Sequence, residues 1–322
     1  MQMNREFLSN LVFLVVVNLM IKPFYLFGIE RTVQNTVDQA DYGYYFALFN
    51  LAYLLQIIND LGIQYFNTQR ISKRRELLQK YFPNMLLLKM ALGLVFLLVV
   101  GLSAKLLGYP NAGFVLLGII AFNQILGSLV LYLRSNISGL GWYRQDSLMS
   151  VTDKVILIIV MSALLWLPGL RPHFRIEWFA LAQTLSLGLT ALFCWRLLRG
   201  RRPGLRFRWQ PRLLAITLRF SYPYALAVFL MTAYTRLDGV MIERLLPDGA
   251  HEAAVYASAY RLLDASNMIG FLFAGLLLPM FARLIRQMDA LLELVLFSFQ
   301  LIWTFALSLA LATWWYRTPL MT

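Results

Sequence analysis

Nine long apolar runs limit what this chain can become: about 7–29, 42–65, 83–105, 112–133, 152–168, 177–197, 216–243, 253–281 and 291–315. A helix needs about 20 mostly apolar residues to cross the hydrocarbon of a bilayer, and it satisfies its backbone hydrogen bonds within one segment. The expected fold class is therefore an all-α polytopic membrane protein. Composition agrees, because 60% of the residues are hydrophobic and 14% charged, where a soluble domain carries roughly 25% charged residues. That much apolar surface exceeds what the chain's own core can hide.

The cations fall on a pattern. One set of alternate loops carries 18 Lys and Arg, concentrated at 70–80 and 196–212 and counting Lys154, which opens the fifth run. The other set carries 6: Arg31, Lys105, Arg171, Arg175, Arg244 and Arg317. Cytoplasmic loops of membrane proteins are the ones enriched in Lys and Arg, so this bias predicts a cytoplasmic N-terminus. It also accounts for the net charge of +13 without a nucleic-acid partner. The first run is too long for the apolar core of a signal peptide, and no small-residue cleavage pattern follows it. It reads as the first membrane helix.

Covalent chemistry finds little to work with. Cys194 is the single cysteine, which excludes an internal disulfide and a multi-cysteine metal site. His173 and His251 sit in polar loops, and His251-Glu252 lacks the second histidine of a zinc-protease helix. No catalytic residue, metal or cofactor is expected.

The basic stretch WRLLRGRRPGLRFRWQPRLL (195–214) divides the chain. Residues 1–198 form a six-helix lobe, 199–215 a cytoplasmic linker, and 216–322 the first three helices of a second lobe. Its arginines and tryptophans suit a surface of anionic membrane lipids. A faint repeat crosses the linker, since Tyr44/Tyr256, Ala47/Ala259 and Leu51/Leu263 share one offset. Six is even, so both sets start with the same orientation, giving a helical bundle of two parallel pseudo-repeat lobes. Three helices do not complete the second lobe, which is expected to be truncated.

Ionisable residues inside membrane spans usually face the bundle interior or a wet cavity. Shared helix faces pick them out. The first helix aligns Asn18, Lys22 and Tyr25; the second aligns Tyr53, Gln56 and Asp60, with Asn50 beside them. The seventh brings Arg236 and Asp238 near one end, and the eighth aligns Tyr256, Tyr260, Asp264 and Asn267 with Arg261 adjacent. Each has a plainer reading: Lys22 snorkels to the interface, Asp60 caps a turn, and Arg236–Asp238 or Arg261–Asp264 is a structural ion pair. The functional reading places Lys22, Arg236, Arg261, Tyr260 and Asn267 around an anionic ligand in one cationic chamber. Asp60, Asp238 and Asp264 then serve ion coupling or gating.

Three stretches carry a resemblance. DYGYYFALFNLAYLLQIINDLGIQYFNTQRIS (41–72), YTRLDGVMIERLL (234–246) and VYASAYRLLDASNMIGFLFAGLLLPMFARL (255–284) resemble bacterial polysaccharide and O-antigen flippases. These belong to the multidrug/oligosaccharidyl-lipid/polysaccharide exporter superfamily. The shared features are the Gly43-x-Tyr45 entry, the Asp60-Leu61-Gly62 exit, Arg70, the Arg236-x-Asp238 pair and Leu278-Pro279. The resemblance implies two six-helix lobes around a cavity that opens alternately to each side of the bacterial inner membrane. It implies translocation of a polyprenyl-diphosphate-linked oligosaccharide for lipopolysaccharide synthesis, with glycosyltransferases or a polymerase of the same pathway as partners. A cation-coupled drug exporter of the same superfamily is the nearest alternative. A membrane polysaccharide polymerase fits less well, because every outward loop is short.

Overall fold

A computed structural model describes residues 13, 16–63, 67, 71, 77–167, 169, 171–199, 211–284 and 288–316. Nine long helical segments run through the described residues, and no strand occurs among them. They are α1 (16–36), α2 (Gln39–Leu55), α3 (Leu77–Leu106), α4 (Phe114–Gly139), α5 (Tyr143–Trp166), α6 (Ile176–Leu198), α7 (Pro211–Leu245), α8 (Gly249–Leu284) and α9 (Met288–Trp315). Six stretches among the described residues are long and apolar enough to cross a membrane: Phe82–Leu106, Phe114–Gly139, Tyr143–Trp166, Ile176–Leu198, Ala225–Leu245 and Leu291–Trp315. This is the all-α polytopic membrane fold expected. Arg70, Arg5 and the centre of the basic linker lie outside the described residues.

Three departures from expectation have a visible reason. The loop expected from Arg31 shrinks to Val37–Asp38, because α1 widens into a π turn at Tyr25–Glu30 and continues to Thr36. The polar residues there stay helical by bonding backwards: Thr32 donates to the Gly28 carbonyl at 2.5 Å and Thr36 to the Thr32 carbonyl at 2.7 Å. Asp38 then caps α2, its carboxylate accepting from the Ala40 N–H at 3.2 Å, which satisfies one of the orphan donors of a helix start.

The second span is interrupted. At Gln56 the bonding tightens to the i−3 carbonyl of Tyr53, and a last turn, Ile57–Asp60, follows. Leu61 and Gly62 take positive φ of 46° and 72° and reverse the chain. The third difference is α5, which begins at Tyr143 rather than near 152. Its charges are covered by neighbours: Asp146 accepts from Arg134 at 2.8 Å, and the Lys154 ammonium lies 4.6 Å over the Tyr25 ring. Lys154 therefore sits inside a helix, not in the loop where the charge tally placed it.

The chain divides into two compact units, Met1–Ala254 and Val255–Thr322. In the first, α4 packs along α6, α6 along α5, and α7 along α2. A sealed apolar cluster of Phe82, Met85, Tyr132, Leu133, Cys194 and Leu198 joins α3, α4 and α6. The Tyr132 hydroxyl buried there donates to the Phe82 carbonyl at 3.0 Å. In the second unit, the remainder of α8 stacks Tyr256 near Tyr260, centroids 5.6 Å apart. The rings of Phe297, Phe299, Trp303 and Trp314 on α9 are exposed, as suits a surface bathed in hydrocarbon.

Candidate functional site

The polar stripe of α2 gathers cations from two other helices. At its lower end Asp60 meets Lys89 of α3, whose ammonium donates to Asp60 Oδ1 and Ser128 Oγ, each at 2.5 Å. Lys89 is 4% exposed and Asp60 15%. The Asn59 amide braces the site by donating to the Gln124 carbonyl at 3.2 Å. Removing two charges from water costs several kcal/mol each, and only close geometry with added hydrogen bonds offsets that. Asp60 is thus held by a buried counter-ion.

Two helical turns further along, the Arg236 guanidinium of α7 lies 5.1 Å over the Tyr53 ring. Tyr53 is stacked on Phe49, and Phe49 on Tyr45, with centroids 5.8 and 6.2 Å apart. A guanidinium over an aromatic face gains roughly 0.5–2 kcal/mol, and it does so without losing its charge. Asp238 folds back so that its carboxylate accepts from the Gly239 N–H at 2.9 Å.

Glycine brings α7 this close. A Cβ on Gly239 would collide with the Asn50 amide and lie 3.0 Å from the Phe46 ring. Gly43 does the same for the start of α8, where a Cβ would overlap the Ala250 carbonyl. The first glycine of the Gly-x-Tyr entry therefore serves close approach of two helices. Its tyrosine, Tyr45, accepts a 3.0 Å hydrogen bond from the Gln183 amide of α6.

The expected chamber residues separate as follows. Asp60, Arg236 and Asp238 lie in the first unit and flank α2. Lys22 also lies in that unit, half-buried on α1 one turn before Tyr25. Tyr260, Arg261, Asp264 and Asn267 lie in the second unit on α8. Tyr260 and Arg261 are buried, at 6% and 7% exposure, Asp264 is half-buried and Asn267 is exposed. Sequence reasoning missed Lys89, although a lone lysine in the middle of an apolar run was the signal. Among the described residues no three His, Cys, Asp or Glu side chains stand together to hold a metal ion.

Comparison with known proteins gives the arrangement a context. A family model described as polysaccharide biosynthesis protein matches residues 7–285. No curated protein matches the chain. Among solved structures, an outward-facing multidrug resistance MATE family transporter of the MOP superfamily aligns at TM-score 0.60 and 16% identity, over 94% of this chain and 71% of that one. A crystal structure of MATE in complex with MaL6 aligns at 0.58 and 16%, over 97% and 73%. A MOP superfamily transporter from Pyrococcus furiosus aligns at 0.58 and 16%, over 97% and 72%. These likenesses show the fold, a MATE-like helical bundle.

Proposed function

Because this multi-pass membrane chain belongs to the polysaccharide biosynthesis protein family, we propose that it carries a polyprenyl-diphosphate-linked oligosaccharide across the bacterial inner membrane. A glycan head and a diphosphate do not cross hydrocarbon unaided. The carrier supplies a polar path through the bundle while the lipid tail stays outside, and it alternates access between the two faces. The N-terminus lies in the cytoplasm, and the glycan leaves on the opposite side for O-antigen assembly. Pathway glycosyltransferases or a polymerase act beside it, and the basic stretch 199–215 between the two helix lobes rests on anionic lipids.

The observation that carries this reading is Arg236. A guanidinium keeps its charge at any physiological pH. This one is half-buried within a membrane-spanning stretch and laid on an aromatic face. Such a cation offers bidentate donors to a diphosphate. Lys22 and Arg261 extend the cationic path, Tyr260 and Asn267 contact sugar, and Asp60, Asp238 and Asp264 gate it. Every residue then binds or gates, and none makes or breaks a covalent bond.

The test compares Arg236→Leu with Arg236→Lys in cells that depend on this carrier. Arg236→Leu is expected to lower surface glycan at least tenfold at unchanged membrane protein level, and Arg236→Lys to retain part of it, since lysine keeps the charge without the planar fork. Normal glycan from Arg236→Leu refutes the role. A second reading, a cation-coupled small-molecule exporter, draws on the fold shared with the multidrug resistance MATE structure. Drug resistance restored by the chain, with surface glycan unaffected by its deletion, would select it.

A further inference from the structure

A cluster at one end of the bundle plays no part in the polar stripe. α3 ends at Leu106, and Gly108 with φ 75° turns the chain so that Leu107 and Tyr109 meet the last turn of α7. The Tyr109 hydroxyl donates to Glu243 Oε2 at 2.8 Å. The Arg244 guanidinium lies 4.5 Å over the Tyr109 ring and donates to the Leu107 carbonyl. From the other side the Tyr44 ring of α2 stands 5.9 Å from that of Tyr109. The Tyr44 hydroxyl is lodged against Gly113, where any side chain would collide with it.

This is an unusual way to join helices inside a membrane protein. The contacts are directional and charge-assisted, and they are confined to one loop and one helix terminus. Tyr109 is 5% exposed and the Glu243 side chain 7%, whereas Arg244 is 29% exposed at the rim. Burial, and then Glu243, raises the Tyr109 pKa well above the usual phenol range, so the donor persists at every physiological pH. Beside it lies an open apolar groove of about 430 Å³ between α2, α3 and α7, lined by Leu51, Leu55, Leu237, Val240 and Met241, with Arg244 also in its wall. Apolar walls with room between them resist separation far less than interdigitated ridges do. Polar bonds at the rim therefore add a directional restraint to the packing of α7 on α2 at this end.

We propose that Tyr109, Glu243 and Arg244 form a latch that closes the outward end of the seam between α7 and α2–α3, and that it must release once in every transport cycle. The proposal rests on the alternating-access reading, and it is tested first without substrate. Val240 is 6% exposed below the latch, and the native Cys194 is fully buried, so a cysteine at 240 reports opening by its labelling with a membrane-impermeant maleimide from outside. Tyr109→Phe removes the charge-assisted hydrogen bond and Glu243→Gln strips it of its charge, and each is expected to raise the labelling rate, Tyr109→Phe by roughly tenfold and Glu243→Gln by less. Arg244→Lys should raise it less.

A control cysteine replacing Leu133, buried at 1% in the sealed cluster, should stay unlabelled in the same variants. Unchanged labelling at 240 in both variants overturns the latch, and so does an equal rise at 133, which would mean general loosening. A second measurement joins Tyr109→Cys to Glu243→Cys with a short reducible cross-linker. The cross-linked carrier should stop moving glycan and recover on reduction, and cross-linked carrier working at the unlinked rate also overturns the proposal. If labelling responds as expected while the native chain moves no glycan at all, the latch stands and the substrate reading falls.

Discussion

Two joints in this molecule are built on opposite principles. Where α4 meets α6, an asparagine crosses the gap: Asn123 donates to the Ala180 carbonyl at 2.9 Å and accepts from the Thr184 hydroxyl at 2.6 Å. Below it the helices share the sealed aromatic cluster around Tyr132 and Cys194. Where α2 meets α7, the contact is a glycine against an amide and a guanidinium over a ring. The first joint fixes two helices in one register through bonds with a single good geometry. The second allows sliding, because a smooth glycine face and a cation over a ring tolerate small displacements. That contrast is what a carrier needs if α1–α6 move as one body and α7 moves against them.

The contrast can be broken by substitution. The largest effect should come from Lys89→Met, which leaves Asp60 buried without its counter-ion. About 3–5 kcal/mol of stability should be lost, read as a fall in unfolding temperature in detergent. Adding Asp60→Leu should restore most of it, because the unpaired charge is then gone. A double variant no more stable than Lys89→Met would show that the loss does not come from the unpaired charge of Asp60.

Asn123→Ala should cost about 1–3 kcal/mol by leaving the buried partners on α6 unsatisfied. Under the proposed function, glycan export from this variant should fall only as far as its membrane level does. Gly239→Ala should do the reverse. Its Cβ presses on the amide of Asn50 and on Phe46, so stability should drop by about 1–3 kcal/mol, while export falls several-fold beyond the fall in membrane level. Equal losses of stability and export in both variants would erase the distinction between the two joints.

Much of the fold was legible because bilayer thickness sets helix length, and nine apolar runs left little choice about the number of helices. The misread start of α5 is instructive. Asp153-Lys154 looked like the edge of a span, yet Lys154 is covered by the Tyr25 ring of α1, a partner that lies far away in the chain. Asp60 was legible as a candidate, but its partner was not, since helix-face matching compares residues within one helix and Lys89 stands on another. Gly43 was visible as part of a motif, and only the Ala250 carbonyl explains why no side chain is allowed there.

The length of α7 has a mechanical consequence. Its 35 residues make a rod of about 50 Å at 1.5 Å per residue, well beyond a hydrocarbon core of roughly 30 Å. Gly239, a point of close approach to α2, lies near one end of that rod, 6 residues from Leu245 and 28 from Pro211. A helix pivoting there as one piece is a lever with unequal arms: its far tip travels roughly four to five times as far as its near tip, in proportion to the residues on each side, and Pro223 marks where the long arm can bend. A tilt too small to resolve beside Tyr109 becomes a displacement of several ångströms at Pro211, where the basic linker joins the rod.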